Sequence, residues 1–176
     1  MRAKATVLFY ALFFPLLCMA QLNTARVMDI GRNALYFEDY VLSIQYFNQV
    51  IDAKPYLHEP YFFRGLAKFH LDDFVGASED FSIAIEKNPY IAQCYQLRGM
   101  CNVRMDSLTL AEQDFRAAIK YDPQNPNLWQ NLAVLAVQEK DWEKAAQVVD
   151  SLLLFSPRNS GACMLRCQVS LNLGDT

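Results

Sequence analysis

Apolar, small and polar residues recur along this chain at a fixed spacing. The stretch 61–89 carries a large aromatic residue, a small residue four positions later, a central alanine and a closing proline, and the same order returns twice. The closing prolines lie 34 residues apart, at Pro55, Pro89, Pro123 and Pro157. An internal period of this length indicates a repeat architecture.

Polar residues at the borders of the apolar runs predict where helices begin. Each full repeat has a good helix N-cap directly before its second apolar run: Asp39, Asp73, Ser107 and Asp141. We therefore expect second helices to begin near Tyr40, Phe74, Leu108 and Trp142. The closing proline ends each second helix, because proline cannot continue a helix. Asn125 followed by Pro126 predicts the start of another first helix.

This pattern resembles the tetratricopeptide repeat, in its bacterial exported form. The resemblance is carried by Tyr61-x-x-Arg64-Gly65, by Tyr95-x-x-Arg98-Gly99 and, in altered form, by Trp129-x-x-Leu132-Ala133. It implies an all-α fold, a right-handed α-solenoid of antiparallel helix pairs. With each closing proline at position 32, the repeats are 24–57, 58–91, 92–125 and 126–159, and a partial repeat spans 160–176. We expect nine helices in a repeat domain 21–176, and no sheet.

A small residue recurs at position 8 of every repeat: Gly31, Gly65, Gly99, Ala133 and Cys167. Glycine inside a helix costs about 1 kcal/mol relative to alanine, so its recurrence indicates close packing of the two helices. We expect the small residue at position 20 to complete this contact, at Ser43, Ala77, Ala111 and Ala145. The large aromatic residues around it are then interpreted as core.

An arginine at position 7 and an aspartate at position 23 occur together or not at all. The second repeat has Arg64 with Asp80, and the third has Arg98 with Asp114. The first and fourth repeats lack both, with Ile30 and Tyr46, and Leu132 and Val148. Because a half-buried arginine needs a carboxylate, we predict an ion pair within each of the two repeats. The alternative is an arginine that binds an acidic ligand.

The first twenty residues have the three-part layout of a secretory signal peptide. A basic head, Met1–Lys4, precedes an apolar run, Val7–Leu17, that is too short for a transmembrane helix. A small residue, Ala20, ends the segment, so we predict a signal peptide 1–20. The mature protein would be exported, either periplasmic or associated with the cell envelope. An uncleaved anchor, or a lipoprotein attached at Cys18, is the alternative.

The charge of the chain gives no basis for binding nucleic acid or an anionic membrane. The formal charge is −3, and the chain after Ala20 has 14 basic and 19 acidic residues. Nucleic-acid-binding surfaces and polybasic membrane segments both need an excess of lysine and arginine. We therefore expect neither nucleic-acid binding nor membrane insertion of the mature chain.

The chain carries no recognisable catalytic motif. Its histidines, His58 and His70, lie outside any zinc-protease motif, and there is neither a nucleophile elbow nor a phosphate-binding glycine loop. The cysteines of the mature chain, Cys94, Cys101, Cys163 and Cys167, are interpreted as small buried apolar residues. We predict no catalytic, cofactor or metal site, and thus a protein that is not an enzyme.

In proteins with this repeat, first helices line a concave groove through positions 2, 5, 9, 12 and 13. Here these positions are apolar at the centre and neutral-polar at the edges. The predicted partner-binding residues are Phe62, Leu66, Phe69, Gln96, Met100, Val103, Arg104, Gln130, Val134, Val137 and Gln138. Such a groove suits an amphipathic helix or an extended apolar segment. The alternative is that curvature partly closes the groove and these residues are simply packed.

Chaperone-binding members of the family hold a C-terminal carboxylate with lysine, asparagine and arginine at groove positions. This chain has Met28, Arg32, Phe63, Gln93 and Leu97 there, so that clamp is absent. We predict a non-enzymatic scaffold for a protein or peptide partner. The alternative is a regulatory or assembly module at the N-terminus of a longer, multidomain polypeptide that is truncated here.

Overall fold

The structure, a computed structural model, describes residues 23–174. In that range it consists of nine α-helices without a β-strand, which confirms the predicted all-α solenoid. The helices are α1 Thr24–Tyr36, α2 Tyr40–Ala53, α3 Glu59–His70, α4 Phe74–Lys87, α5 Ala92–Arg104, α6 Leu108–Tyr121, α7 Pro126–Gln138, α8 Trp142–Phe155 and α9 Ser160–Leu173. Odd-numbered helices are the first helices of the repeats. The predicted signal peptide lies outside the described residues.

The second helices begin at the four predicted residues. The side chains of Asp39, Asp73 and Asp141 each accept a hydrogen bond from a backbone N–H three residues later, at 3.0 to 3.2 Å. These bonds satisfy donors that the first turn of a helix leaves unpaired. Ser107 occupies the N-cap position of α6, but its side chain makes no such bond.

The glycine of each first helix lies against a phenylalanine ring of the second helix. A Cβ atom on Gly31 would lie 2.7 Å from Cε1 of Phe47, closer than real Cβ contacts. The same contact recurs between Gly65 and Phe81 and between Gly99 and Phe115. The sequence predicted position 20 as the close contact, but the ring at position 24 is the nearest group. In the fourth repeat, Ala133 replaces the glycine of the first helix and Val149 replaces the phenylalanine of the second. A larger residue in the first helix is thus matched by a smaller one in the second.

Both predicted ion pairs form within their own repeats. Arg64 donates from Nε and Nη2 to the carboxylate of Asp80 at 2.9 and 2.5 Å. Arg98 donates to Asp114 at 2.6 to 3.2 Å. Both aspartates are buried. The arginines also join neighbouring repeats, because Nη1 of Arg98 donates to Ser82 Oγ of the preceding repeat at 3.0 Å.

A third residue completes each ion pair, and the sequence analysis missed it. Lys68 Nζ lies 2.8 Å from Asp80, and Asn102 donates to Asp114 at 3.0 Å. Both residues occupy position 11, where the first and fourth repeats have Ala34 and Ala136. A polar residue at position 11 therefore occurs in the same two repeats as the arginine and the aspartate.

Candidate peptide-binding groove

The first helices of the repeats form one continuous face of the solenoid. Three of the four pairs of neighbouring first helices touch, α1 with α3, α3 with α5, and α7 with α9. The remaining pair, α5 and α7, lines one cleft. Second helices pack behind them, each against the first helices of its own and the next repeat. This layering places the groove positions of α3, α5, α7 and α9 side by side.

Seven of the eleven predicted partner-binding residues line one cleft of about 220 Å³ between α3, α5 and α7. These are Phe69, Met100, Val103, Arg104, Gln130, Val134 and Gln138. The walls are mainly apolar, and the glutamines and the arginine lie among them. The repeat register thus brings together residues that are up to 69 positions apart in the chain.

The remaining lining of the cleft contains residues that sequence reasoning missed. Phe115 of α6 and Leu135 of α7 contribute apolar surface, and Asn131 contributes an amide. The Asn131 Nδ2 atom is buried and has no hydrogen-bond partner among residues 23–174. Apolar residues occupy the equivalent position of three other repeats, at Phe63, Leu97 and Leu165. The first repeat has Asp29 there, so the available signal was an amide that follows two apolar residues at this position.

Arg104 lies at the rim of the cleft, where Phe74 and Asp72 contact its guanidinium group. Its guanidinium carbon lies 4.4 Å from the ring centroid of Phe74, and its Nη2 lies 3.4 Å from Oδ1 of Asp72. The Phe74 ring in turn contacts Phe69 edge-to-face at 5.5 Å. Both the arginine and Asp72 are more than half exposed, so water weakens their ion pair.

The other four predicted residues lie outside this cleft, and all are half-buried: Phe62, Leu66, Gln96 and Val137. The Phe62 ring centroid lies 5.1 Å from that of Phe63 and 6.1 Å from that of Phe81. Val137 packs against the buried residues of α7, α8 and α9. Phe62 and Val137 thus pack against neighbouring side chains, which is the alternative interpretation given above for the groove residues.

A second cleft of about 500 Å³ continues the groove from α7 onto α9. Gln130 and Val134 belong to both clefts, so they form a shared wall. The α9 side includes Met164 and Leu171, which are 74% and 71% exposed. They occupy groove positions 5 and 12 of the partial repeat. The prediction stopped at the fourth repeat, although the same register identifies these residues.

The four cysteines fall into two classes. Cys94 and Cys101 are buried, as predicted, and burial raises the pKa of each thiol to about 12. Cys163 and Cys167 are exposed on α9, so their interpretation as buried residues was wrong. The second helix that covers the equivalent positions in earlier repeats has no counterpart among the described residues. Residues 23–174 contain no cluster of three or more histidine, cysteine, aspartate or glutamate side chains suited to a metal ion.

Comparison with known proteins identifies the repeats. Residues 105–175 match the family model described as tetratricopeptide repeat. The same 34-residue register of antiparallel helix pairs extends back to Thr24. The chain is a tetratricopeptide repeat protein. No curated protein sequence matches this tetratricopeptide repeat protein.

Solved structures share the fold of this tetratricopeptide repeat protein at low sequence identity. A crystal structure of MamA matches with a TM-score of 0.80 and 18% identity, over 86% of this chain and 83% of that chain. MamA from Desulfovibrio magneticus RS-1 matches with a TM-score of 0.79 and 15% identity, over 89% of each chain. YrrB, described as having an unusual peptide-binding site, matches with a TM-score of 0.73 and 19% identity, over 82% and 75% of the two chains.

None of the helices in the described part of the chain is both long and apolar enough to cross a membrane.

Proposed function

We propose that this protein is a non-enzymatic scaffold that binds an extended, apolar segment of a partner protein along the two clefts. The observation that carries the proposal is the buried, unpaired amide of Asn131 in an apolar cleft. A buried donor without a partner is unfavourable by about 1–3 kcal/mol. If the Asn131 side chain turned toward the cleft that it lines, a backbone carbonyl of a bound segment would accept this hydrogen bond and remove that penalty.

The extended conformation is favoured because of its free backbone groups. Inside a helix, each carbonyl already accepts a hydrogen bond from the helix itself. An extended segment presents its carbonyls along its whole length, and its side chains alternate between the groove and solvent. Neutral amides at the cleft edges, Gln130 and Gln138, can also bond such a backbone without requiring charge on the partner.

The apolar character of the groove defines the chemistry of the partner. Val134, Met164 and Leu171 are 46%, 74% and 71% exposed, and burying them on binding would be favourable. Arg104 is the one charged residue lining either cleft, and Asp72 already pairs with it. Binding should therefore depend weakly on salt concentration.

Related folds support peptide binding as the type of activity. The first tetratricopeptide repeat domain of Spaghetti (RPAP3), bound to the HSP90 peptide SRMEEVD, has a TM-score of 0.65 with 21% identity, over 66% of this chain and 93% of that chain. That ligand is acidic. We expect an acidic peptide of this kind to bind this chain poorly, because the groove offers it one arginine that is already paired.

The experiment uses a library of random 12-residue peptides selected on the purified full chain. We expect apolar sequences, and we expect Val134→Asp and Asn131→Leu to weaken their binding at least tenfold, which corresponds to about 1.4 kcal/mol. The matched control is Val75→Asp, an exposed valine on α4 outside both clefts, which should leave affinity unchanged. Selection of mainly acidic peptides, or full binding by Val134→Asp, would refute the groove.

Export is a separate part of the proposal. It is motivated by the basic head, short apolar run and small residue at the end of segment 1–20. N-terminal sequencing of the protein recovered outside the cytoplasm of a bacterial host should begin at Gln21. Retention in the cytoplasm with the N-terminal segment intact would contradict this part and leave the groove unaffected.

A further inference from the structure

The turns between the two helices of each repeat form a second surface, at one edge of the solenoid. In all four full repeats the residue at position 15 has a left-handed conformation, with φ of 59° to 63°: Glu38, Asp72, Asp106 and Lys140. The same backbone hydrogen bond closes each turn, from the N–H of position 16 to the carbonyl of position 11, at 2.8 to 3.0 Å. The four turns therefore present positions 14 and 15 in the same way.

The first three turns each combine an apolar residue at position 14 with an acidic residue at position 15. The fourth turn differs at both positions, because Glu139 is charged rather than apolar and Lys140 is basic rather than acidic. The pattern is thus a property of the first three repeats and not of the turn itself. We call its six residues the turn edge: Phe37, Glu38, Leu71, Asp72, Met105 and Asp106.

Two contacts join the three turns of the turn edge into one surface. Tyr40, which follows the first turn, stacks on His70 of the second turn with 4.9 Å between ring centroids. Asp72 of the second turn lies 3.4 Å from Arg104 of the third. The first helices of these repeats touch, α1 with α3 and α3 with α5. Because packed helices lie about 8–10 Å apart, equivalent turn residues recur along the edge at roughly that spacing.

The apolar residues of the turn edge are open to solvent in the first two turns. Phe37 is 76% exposed and Leu71 is 45% exposed, whereas Met105 is half-buried against the cluster that contains Phe81. The exposed ring of Tyr36 lies edge-on to Phe37, with 5.2 Å between centroids, and widens the apolar surface. Burying these side chains against a partner would be favourable.

The charge of the turn edge indicates what would cover it. Segments 36–39, 70–73 and 104–107 contain five acidic residues and one arginine, so their net charge is negative. That arginine, Arg104, pairs weakly with Asp72, since both are more than half exposed. Glu38 and Asp106 make no ion pair with any residue of the range 23–174. An occupant with complementary charge is therefore basic as well as apolar.

We propose that the turn edge binds an amphipathic helix of another protein, in which apolar and basic residues each recur every seven positions. Seven residues of helix span about 10.5 Å, which is close to the spacing of the turns. The apolar residues would pack on position 14 of each turn, and lysine or arginine would face position 15. A second copy of the turn edge is a poor occupant, because it would place acidic residues opposite acidic residues.

This site is independent of the ends of the described chain and of the proposed groove. All three turns lie inside full repeats, in which both helices are present. None of the six residues of the turn edge lines either groove cleft. The proposal therefore does not rest on the proposed groove function.

The probe is a fluorescently labelled synthetic peptide of three identical heptads, with leucine first, lysine fourth, and alanine or glutamine elsewhere. Residues three and four apart are neighbours on a helix, so leucine and lysine share one face. In one control peptide glutamate replaces lysine. A second control has the same composition in an order that spreads the leucines around the helix. Fluorescence anisotropy measures the affinity of each peptide for the full chain.

We expect the lysine peptide to bind at least about tenfold more tightly than either control peptide. Its affinity should fall about tenfold between roughly 0.05 and 0.5 M salt, because its ion pairs are exposed. Peptides in the groove should respond weakly to salt, so this dependence also distinguishes the two sites. Equal binding of the lysine and glutamate peptides would overturn the proposal.

The fourth repeat supplies the substitutions for the protein, because its turn already holds them. Phe37→Glu introduces the residue found at Glu139 and should weaken binding at least about tenfold, since an apolar anchor is lost. Glu38→Lys combined with Asp106→Lys introduces the residue found at Lys140, in the same backbone conformation. This double variant should also weaken binding about tenfold, since two attractions become repulsions.

The matched control makes the same change in net charge away from the turn edge. Asp52→Lys combined with Glu86→Lys alters exposed residues near the far ends of α2 and α4 and should change affinity less than about twofold. An equal loss in this control and in the double variant of the turn edge would overturn the proposal. Val134→Asp should leave binding of the lysine peptide unchanged, so failure of the groove would not affect this result.

The chain's own basic and apolar segment 1–20 is the remaining candidate occupant. We expect the lysine peptide to bind equally well with and without these residues. A gain of about tenfold on their removal would identify that segment, rather than another protein, as the occupant and would overturn the proposal.

Discussion

Arg98 on α5 holds the buried carboxylate of Asp114 on α6 through three hydrogen bonds of 2.6 to 3.2 Å. The other side chain bonded to Asp114 is a neutral amide, Asn102, whereas Asp80 in the preceding repeat also has Lys68. Arg98→Ala would therefore strand Asp114 and lower the free energy of unfolding by about 3–5 kcal/mol. Arg64→Ala should cost less, because Lys68 stays beside Asp80. Urea unfolding followed by circular dichroism measures both, and equal losses would contradict the assigned role of Lys68.

The polar cluster of Arg98, Asn102 and Asp114 should be replaceable by the apolar residues found at the same positions of the fourth repeat. The fourth repeat has Leu132, Ala136 and Val148 where the third has Arg98, Asn102 and Asp114. Replacing a buried ion pair by apolar residues of fitting volume is neutral or stabilising by about 1–4 kcal/mol. We expect the triple variant Arg98→Leu, Asn102→Ala, Asp114→Val to have a midpoint of urea unfolding equal to or higher than that of the wild type. A loss as large as that of Arg98→Ala alone would show that the repeats cannot exchange these residues.

Ser43 should be more stable as alanine. Its hydroxyl is buried in α2 without a hydrogen-bond partner among the described residues, and Ala77, Ala111 and Ala145 occupy the same position in the other repeats. Ser43→Ala removes the unpaired group and should raise the free energy of unfolding by about 1 kcal/mol. The control is Ser82→Ala, which removes a bonded hydroxyl and should lower stability. Destabilisation by Ser43→Ala would mean that its hydroxyl is bonded in solution.

Lys140 holds an unfavourable backbone conformation at the turn between α7 and α8. Its φ of 59° is in the left-handed region, which costs a non-glycine residue about 1–2 kcal/mol. Glycine would adopt this conformation without that cost, although the greater freedom of glycine in the unfolded chain offsets part of the gain. Lys140→Gly should therefore raise the free energy of unfolding by about 0.5–1 kcal/mol. Gln147→Gly, at an exposed position inside α8, should instead lower it by about 1 kcal/mol.

Glu112 makes the junction of the third and fourth repeats sensitive to acid. Lys144 donates to its carboxylate at 2.7 Å, and this hydrogen bond, opposed by burial and helped by Arg116, holds the pKa of Glu112 below its usual value. Because the folded state binds this proton less tightly than the unfolded state, the stabilisation is full above the unfolded pKa. It is lost as the pH falls through the lower, folded pKa.

Glu112→Gln should therefore lower the free energy of unfolding at neutral pH by about 0.5–1 kcal/mol. The difference from wild type should vanish below the folded pKa, where Glu112 itself is uncharged. Urea unfolding across a pH series measures this difference, with Glu86→Gln, at an exposed position in α4, as the control. A difference that stays constant with pH would assign the effect to packing rather than charge.

The helical framework followed from local rules, which is why so much of it was predictable. Asp39, Asp73 and Asp141 cap helices through bonds to residues three positions away, so their sequence neighbours suffice to place α2, α4 and α8. The Arg64–Asp80 and Arg98–Asp114 pairs span 16 residues, but repetition within the chain revealed them.

Side-chain exposure was harder to predict because it depends on which helices are present. Cys167 shares its register with buried residues in four repeats, yet it is exposed, since no helix covers it in the described chain. Phe62 and Phe69 both occupy groove positions, but Phe62 turns against Phe63 and Phe81 while Phe69 lines the cleft. Nothing in the repeat register distinguishes these two side-chain directions.

The hydrogen bonds that arginines make to the preceding repeat have a consequence for how the solenoid opens. Arg64 reaches Asn48, Arg98 reaches Ser82 and Arg166 reaches Asp150, so each arginine joins its own first helix to the second helix of the preceding repeat. The fourth repeat has Leu132 instead, and the fastening there comes from Lys144 to Glu112. In linear arrays, such nearest-neighbour bonds set how many units unfold as one block. Acid that protonates Glu112 removes this polar link, while the apolar cluster that joins Phe115 and Leu132 across the junction remains. Amide protons of α7 to α9 should therefore exchange slightly earlier in acid than those of α3 to α6.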